Sequence, residues 1–368
     1  MWATAPNPGA LQRASFHDRI AEFLPQRVPV PILKRMTLLS FLDLVPVLDG
    51  GTVSTALANA AEVAAHAERL GYHRYWVAEH HGMAGVGGAA TSVVIGHVGA
   101  HTQNIRIGAG GIMLPNHAPL QIAEQFGTLD ALFPGRVDLG LGRAPGSDGR
   151  VAMALRRGLN SSPDNFVQEV LELQALFVGD PQLGFKATPG AGADVEIWVL
   201  GSSLFGAQVA AALGLPYGFA SHFAPGMLDE ALTIYRRNFR PSAVLERPRV
   251  MVGFNVFAAD SDAEATLLAS SMQQAFVALR TGSVGGGLRP PVAGYYESLP
   301  AGQRAMLDEM MSFAAIGTRD RVAERLSALL ARTQADEVII TSQIHDHRAR
   351  LRSIEIAADA MAHAIDPS

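Results

Sequence analysis

The sequence predicts an α/β fold, a (β/α)8 TIM barrel with insertions on its carboxyl-terminal rim and an extension at its amino terminus. Two observations support this prediction: strand-like runs alternate with helix-like runs from Thr37 onward, and the strand-like runs number eight. Eight parallel strands are what a closed barrel of this class requires. The predicted strands are Leu38–Val47, Arg74–Ala78, Ile105–Leu114, Arg136–Leu141, Val195–Leu200, Tyr217–Ser221, Val250–Ala258 and Glu337–Thr341.

The helix-like runs between these strands end at recognisable stop signals. Ala56–Leu70 stops before Gly71, and Leu204–Leu213 stops before Gly214, as helices do at a glycine beyond the last turn. A final helix carries an apolar stripe of Leu351, Ile354, Ala358 and Met361. An open doubly wound sheet is the structural alternative, but it normally has fewer strands and needs no closing eighth strand.

Two glycine- and proline-rich segments interrupt this alternation. Arg143–Asn165 follows the fourth strand, and Thr281–Ser312 precedes the last helix and strand. Long loops of this kind are typically lids or binding loops, with a flexible tether as the alternative, so we expect both on or beside the catalytic rim. We expect residues 1–35 to form an N-terminal arm with a proline-rich end, and residues 36–368 to form one barrel domain.

The composition excludes several classes of protein. With 368 residues, 48% hydrophobic residues and a net charge of −5, the chain can bury a large core and does not resemble a nucleic-acid binder. The absence of cysteine excludes disulfides and thiolate chemistry. We expect a cytoplasmic protein without a membrane segment, because no signal-like start and no apolar run of roughly 18–20 residues is present.

Polar residues concentrate where the predicted strands end. The run Ile105–Gly146 reads as strand, loop, helix, Pro-Gly turn and second strand, with its polar groups at the strand ends. Because the active site of a barrel forms at the carboxyl ends of its strands, we expect these residues to share one site. They are Glu79, His80, His81, Asn116, His117, Arg143, Gly201, Ser202, Ser203, Ser221, His222, Thr341, Ser342 and Gln343.

An anion site is predicted after the fifth strand. Ser202 and Ser203 open a helix, where unpaired backbone N–H groups attract a phosphate, and Arg143 could add a charged contact. The alternative is that one of the two serines merely caps the helix.

The segment Glu79-His80-His81 allows three interpretations: a metal site, a general acid or base, or a structural role. Adjacent histidines in an extended chain point to opposite sides and cannot easily share one ion, so we predict no metal. No carboxylate and histidine set is expected to converge at ligand spacing. A G-x-G-x-x-G turn after the first strand is also absent, so a built-in NAD(P)H site is not supported.

Three segments in this order resemble the bacterial luciferase-like family of flavin-dependent monooxygenases. They are YWVAEHHG at Tyr75–Gly82, the run Ile105–Gly146, and WVLGSS at Trp198–Ser203. The resemblance extends from Met36 to the carboxyl terminus and implies a barrel that binds a flavin.

The resemblance also implies residue roles. Arg143, Gly201, Ser202 and Ser203 would hold the flavin phosphate, and the isoalloxazine ring would rest on Gly110 and Gly111, in the family often across a non-proline cis peptide. His80 would lie beside the reactive edge of the flavin as base or hydrogen-bond partner. Glu79 and His81 are expected to orient the loop. Asn116 is a weaker candidate on the same rim, and His117 and His222 would either contact substrate or be structural.

The implied activity is that of an FMN-dependent monooxygenase. Reduced FMN, supplied as co-substrate by a separate flavin reductase, would react with O₂ through a flavin C4a-(hydro)peroxide to oxygenate a small organic substrate, in a protein expected to be a homodimer. Luciferase has a carboxylate where this chain has Gly201 and a reactive cysteine where it has Gly142, so light emission is not expected. The alternatives are an F420-dependent hydride-transfer enzyme and a non-catalytic flavin-binding relative.

Overall fold

Eight parallel strands close into a barrel in a computed structural model that describes residues 37–144, 149–155, 165–282 and 286–365. The barrel order is β1-β2-β3-β4-β5-β6-β7-β9, and β9 pairs with β1 to close it. The strands are β1 (Leu38–Asp43), β2 (Arg74–Val77), β3 (Arg106–Met113), β4 (Val137–Gly142), β5 (Glu196–Gly201), β6 (Tyr217–Phe219), β7 (Val250–Ala258), β8 (Ala314–Gly317) and β9 (Glu337–Thr341). The predicted barrel is confirmed, and all eight predicted strands are present. The N-terminal arm lies outside the described residues.

Helices surround the barrel and follow its strands. They are α1 (Val53–Arg69), α2 (Thr91–Ala100), α3 (Pro119–Leu132), α4 (Gly149–Leu155), α5 (Phe166–Val178), α6 (Leu204–Leu213), α7 (Leu228–Asn238), α8 (Asp262–Thr281), α9 (Tyr295–Ser298), α10 (Ala301–Met310), α11 (Arg319–Thr333) and α12 (His347–Ile365). The backbone of Gly214 is left-handed at the end of α6, as the sequence predicts. None of the described helices has the length and apolar character needed to cross a membrane.

The segment between β7 and β9 departs from the prediction. Thr281–Ser312 was expected to be a rim loop, but it contains the short helices α9 and α10. A ninth strand, β8, follows it and pairs with Asn255–Ala258 of β7, of which only Asn255 also pairs with β9. Four small or apolar residues give too short a pattern to predict a strand. Of the other predicted rim segment, Arg143–Asn165, only α4 and the end residues are described.

The two ends of the barrel interior differ in chemistry. Toward the carboxyl ends of the strands, Leu42, Trp76, Trp198, Met251 and Ile339 form an apolar cluster inside the barrel. At the amino ends, three arginines meet three carboxylates in a group that we call the charged plug. Its members are Arg74, Arg106, Arg249, Asp138, Glu196 and Glu337.

Arg74 is the centre of the charged plug and is fully buried. Its Nη1 donates to Asp138 Oδ2 at 2.6 Å, and its Nε donates to Glu337 Oε1 at 2.6 Å. The indole rings of Trp76 and Trp198 lie 5.3 Å and 4.9 Å from its guanidinium carbon. Since three positive and three negative side chains balance, the plug buries charge without a net excess.

The charged plug predicts a specific acid sensitivity. Burial alone would raise the pKa of Glu196, but Arg249, Arg74 and Arg106 lower it from 4.5 to about 2. A lowered folded-state pKa contributes stability that is complete above the ordinary value and is lost as the pH falls towards the folded value. The destabilisation caused by Glu196→Gln should therefore shrink between about pH 4.5 and pH 2, by on the order of 3 kcal/mol in full.

Urea unfolding of wild type and of Glu196→Gln between pH 7 and pH 3.5 would measure the first part of this change in the free energy of unfolding. The two proteins share all other titrating groups, so the difference between them isolates Glu196. If the difference in the free energy of unfolding stays constant over this pH range, the lowered pKa of Glu196 is contradicted.

Candidate active site

The carboxyl ends of the strands surround a small apolar cavity at the barrel mouth. Its lining includes Leu42, Trp76, Gly110, Met251, Ile339 and His222. The strands thus bring together residues that lie far apart in the sequence. Among the residues that the structure describes, those lining this cavity include no carboxylate, lysine or arginine, which makes it suited to a neutral ring or an apolar group.

Glycines shape the wall of the cavity. A Cβ at Gly110 would lie 2.6 Å from Leu42 Cδ1, and a Cβ at Gly111 would lie 2.6 Å from the carbonyl oxygen of Gly140. The peptide bond between Gly110 and Gly111 is cis, the form that the family resemblance implied. Backbone rather than side chains therefore forms this wall, and a flat ring could lie against it.

The turn after β5 has the features of an anion site. Ser203 precedes α6, but its side chain makes no capping hydrogen bond, so the simple capping alternative does not describe this serine. The guanidinium carbon of Arg143 lies 4.0 Å from the ring centroid of Phe205, in the first turn of α6. Among the described residues, Arg143 has no carboxylate partner. Ser202 is exposed and Gly201 is half-buried beside it, so the four predicted phosphate residues surround one open helix start.

Glu79 connects two strand ends through a buried carboxylate. Its Oε1 accepts hydrogen bonds from His81 Nε2 at 2.6 Å and His117 Nε2 at 2.9 Å, and its Oε2 accepts from the backbone N–H of Met113 at 3.0 Å. Burial would raise the pKa of Glu79, but the hydrogen bonds and charge of His117, together with the bonds from Met113 and His81, lower it. The carboxylate stays ionised and holds the loops after β2 and β3 together. Asn116 is buried in the turn just before His117.

The expectation that no carboxylate and histidine set converges is wrong. The ligand atoms of Glu79, His81 and His117 all lie within 4.8 Å of one another. Reasoning from adjacent histidines missed this set because His117 is 38 residues from Glu79 and reaches it only through the β2–β3 pairing. Both imidazoles bond to the same oxygen, Oε1 of Glu79. We therefore interpret the set as a hydrogen-bonded cluster that orients the loop after β2.

His222 lines the cavity, and the charge of His80 acts on it. Burial, and next the charge of His80, lower the pKa of His222 to about 4. His222 is therefore neutral at neutral pH, and its ring packs against Gly253, where a Cβ would lie 2.0 Å from its Nδ1. His80 is half-buried, directly after the Glu79 anchor.

Sequence reasoning missed Asn255, a buried polar residue within β7. Its Nδ2 donates to the carbonyl oxygen of His222 at 2.7 Å, and this bond holds the loop after β6. A single asparagine among apolar residues gives only a weak sequence signal of function. Side chains four residues apart on a strand lie on the same face, so Asn255 faces the barrel interior as Met251 does, and this could have indicated it.

Comparison with known proteins identifies the family. The sequence pattern described as luciferase-like monooxygenase matches residues 37–337. A luciferase-like monooxygenase of Escherichia coli K12 is 50% identical over 87% of this chain and 96% of its own length. The N-acetyl-S-alkylcysteine monooxygenase of Bacillus subtilis is 31% identical over 89% of this chain and 99% of its own.

A solved structure agrees with these sequence matches. The crystal structure of apo-MsnO8 is 34% identical and superposes with a TM-score of 0.79, covering 89% of this chain and 98% of that one. The resemblance found in the sequence is thereby confirmed. Since the matches span most of the chain and nearly the whole length of these relatives, the chain belongs to the luciferase-like monooxygenase family of flavin-dependent enzymes.

Proposed function

We propose that this protein is an FMN-dependent monooxygenase that uses reduced FMN and O₂ to oxygenate a small organic substrate. The observation that supports this most is the turn after β5, where Arg143 stacks on Phe205 beside a helix start that no serine side chain caps. A phosphate dianion suits such a turn, because it needs backbone donors and a compensating charge. The glycine wall around Gly110 and Gly111 suits the isoalloxazine ring of the same molecule.

In this proposal, the residues of the chain bind the flavin, orient it and shield it from water. Bound reduced flavin supplies the electrons that activate O₂. Arg143 and the turn Gly201–Ser203 hold the phosphate end, and the apolar cavity lining excludes water from the ring. Glu79 fixes the loop that carries His80 by binding His81 and the β3 end.

His80 is the proposed proton donor and acceptor at this site. It follows β2 on the rim, and its charge is felt at His222, which lines the same cavity as Gly110. His222 is too weakly basic for this role, because its pKa of about 4 leaves it neutral. Imidazole is the side chain that most often acts as a general acid or base in enzymes.

The proposal includes a separate flavin reductase as partner, a homodimer, and a cytoplasmic location where the reductase can supply reduced FMN. N-acetyl-S-alkylcysteines, the compounds named for the 31% identical relative, are the first substrates to test. Incorporation of one ¹⁸O atom from ¹⁸O₂ into product, with reduced FMN supplied, would support monooxygenation. Copurified F420, or binding of F420 and not FMN, would favour the hydride-transfer alternative.

Arg143→Ala should weaken FMN binding by roughly 1.5–3 kcal/mol, the worth of a hydrogen bond to a charged group. Fluorescence titration of FMN at moderate salt would measure this change. Arg280→Ala is a matched control, since Arg280 lies 5.8 Å over the ring of Phe223 on the rim but away from the β5 turn. Equal affinities of wild type and Arg143→Ala would show that the phosphate lies elsewhere.

A further inference from the structure

Two neighbouring polar atoms in the barrel mouth have no hydrogen-bond partner. Asn255 on β7 and Thr341 on β9 are paired across the sheet and are each 1% exposed. Within the described chain, Asn255 Oδ1 and Thr341 Oγ1 receive and donate no hydrogen bond. Leaving a buried polar atom unpaired is unfavourable, so two such atoms side by side point to a group that the protein binds there.

The amide of Asn255 has a defined orientation. Its Nδ2 donates to the carbonyl oxygen of His222, so Oδ1 is the end that remains as an acceptor. Met251 and Ile339 belong to the cluster inside the barrel. Asn255 lies four residues after Met251, and Thr341 two residues after Ile339. Because side chains alternate along a strand, both polar residues also face inward, nearer the mouth.

The position of this pair relates to the flavin site, and this step rests on the proposed function. The phosphate turn lies after β4 and β5, and the glycine wall lies on β3. In the closed barrel, β7 and β9 stand across the mouth from β3 and β4. A flavin held on the β3 to β5 side leaves the β7–β9 wall facing the substrate.

We propose that Asn255 and Thr341 form a substrate-recognition subsite for a neutral group that offers a hydrogen-bond donor and an acceptor on one edge, such as a cyclic secondary amide, whose N–H and C=O point to the same side. The amide N–H donates to Asn255 Oδ1, and the Thr341 hydroxyl donates to the amide carbonyl. Met251 and Ile339, which precede these two residues on the same strands, line the apolar cavity at the barrel mouth.

A matched pair of probes tests this subsite without an identified substrate. 6-Pentylpiperidin-2-one, a lactam, and δ-decalactone, the corresponding cyclic ester, have the same shape, but only the amide has an N–H. Trp76 lines the cavity, so quenching of tryptophan fluorescence reports binding. Wild type should bind the amide roughly tenfold more tightly than the ester, as expected for one buried hydrogen bond. Asn255→Leu should abolish this preference, and Thr341→Val should weaken both probes alike.

The ratio of the two affinities separates recognition from structural damage, because a distorted pocket weakens amide and ester together. Thr333→Val is the control for the loss of a buried threonine hydroxyl, since Thr333 bonds to Leu329 within α11. No amide preference in wild type, or a preference that persists in Asn255→Leu, would overturn the proposal.

FMN titrations distinguish the substrate subsite from the proposed use of FMN. We expect wild type to keep its full preference for the amide over the ester when it is saturated with FMN. Displacement of the amide by FMN would place the flavin on the β7–β9 wall and overturn the subsite as a substrate site. Amide preference in a protein that binds no FMN would refute the proposed cofactor but leave the recognition by Asn255 in place.

Discussion

Replacing Arg74 with methionine is expected to lower the free energy of unfolding by about 3–5 kcal/mol, the usual cost of removing one partner from a buried ion pair. Methionine fills much of the arginine volume but leaves Asp138 and Glu337 without their central cation. Both carboxylates are fully buried, so water cannot replace the lost charge. Urea unfolding followed by circular dichroism would measure the change.

Arg352→Met provides a comparison at the surface. Arg352 pairs with Asp260, but both side chains are more than half exposed. Exposed pairs contribute about 0–1 kcal/mol, so this variant should remain close to wild type. Glu337→Gln in the Arg74→Met background should restore part of the stability, since it removes a buried carboxylate that has lost its nearest cation and keeps only Arg249 at 3.7 Å. Equal unfolding of Arg74→Met and Arg352→Met would show that the charged plug does not stabilise the barrel.

The barrel could be predicted from the sequence, and the charged plug could not. Each barrel strand is a local apolar run, and the alternation with helices limits how such runs can pack. Arg74 meets Asp138 and Glu337 across 64 and 263 residues, and only the closed barrel brings them together. In the sequence, these three residues resemble the charged residues that commonly flank buried strands, and nothing indicates that they contact one another.

The candidate site shows the same limit. His80, Arg143 and Ser203 could be proposed from the sequence because they come soon after β2, β4 and β5, at the end of the barrel where active sites form. Asn255 lies within β7, where its apolar neighbours hide it. The bond between Glu79 and His117 depends on how two loops meet, and no periodic pattern encodes that contact.

His80 can be distinguished from the other rim histidines by what each one already does. His81 and His117 both donate to Glu79, which commits their Nε2 atoms to holding the loop. His222 is neutral and packed over Gly253. His80 directly follows the anchored Glu79, and its charge acts on His222, which lines the cavity. A group that exchanges protons with a reacting molecule needs this placement at the edge of the cavity.

His80→Ala should therefore lower turnover by roughly 10²–10⁴-fold, the usual contribution of a positioned acid or base, while FMN affinity stays nearly unchanged. Affinity should be retained because Arg143 and Ser203, the residues proposed to hold the phosphate, follow other strands. His81→Ala should have a much smaller effect on turnover, since His117 still binds Glu79. Turnover with supplied reduced FMN and fluorescence titration of FMN measure the two quantities. The opposite ranking of His80 and His81, or normal turnover of His80→Ala, would remove His80 from the mechanism and leave a flavin-binding site whose catalytic group lies elsewhere.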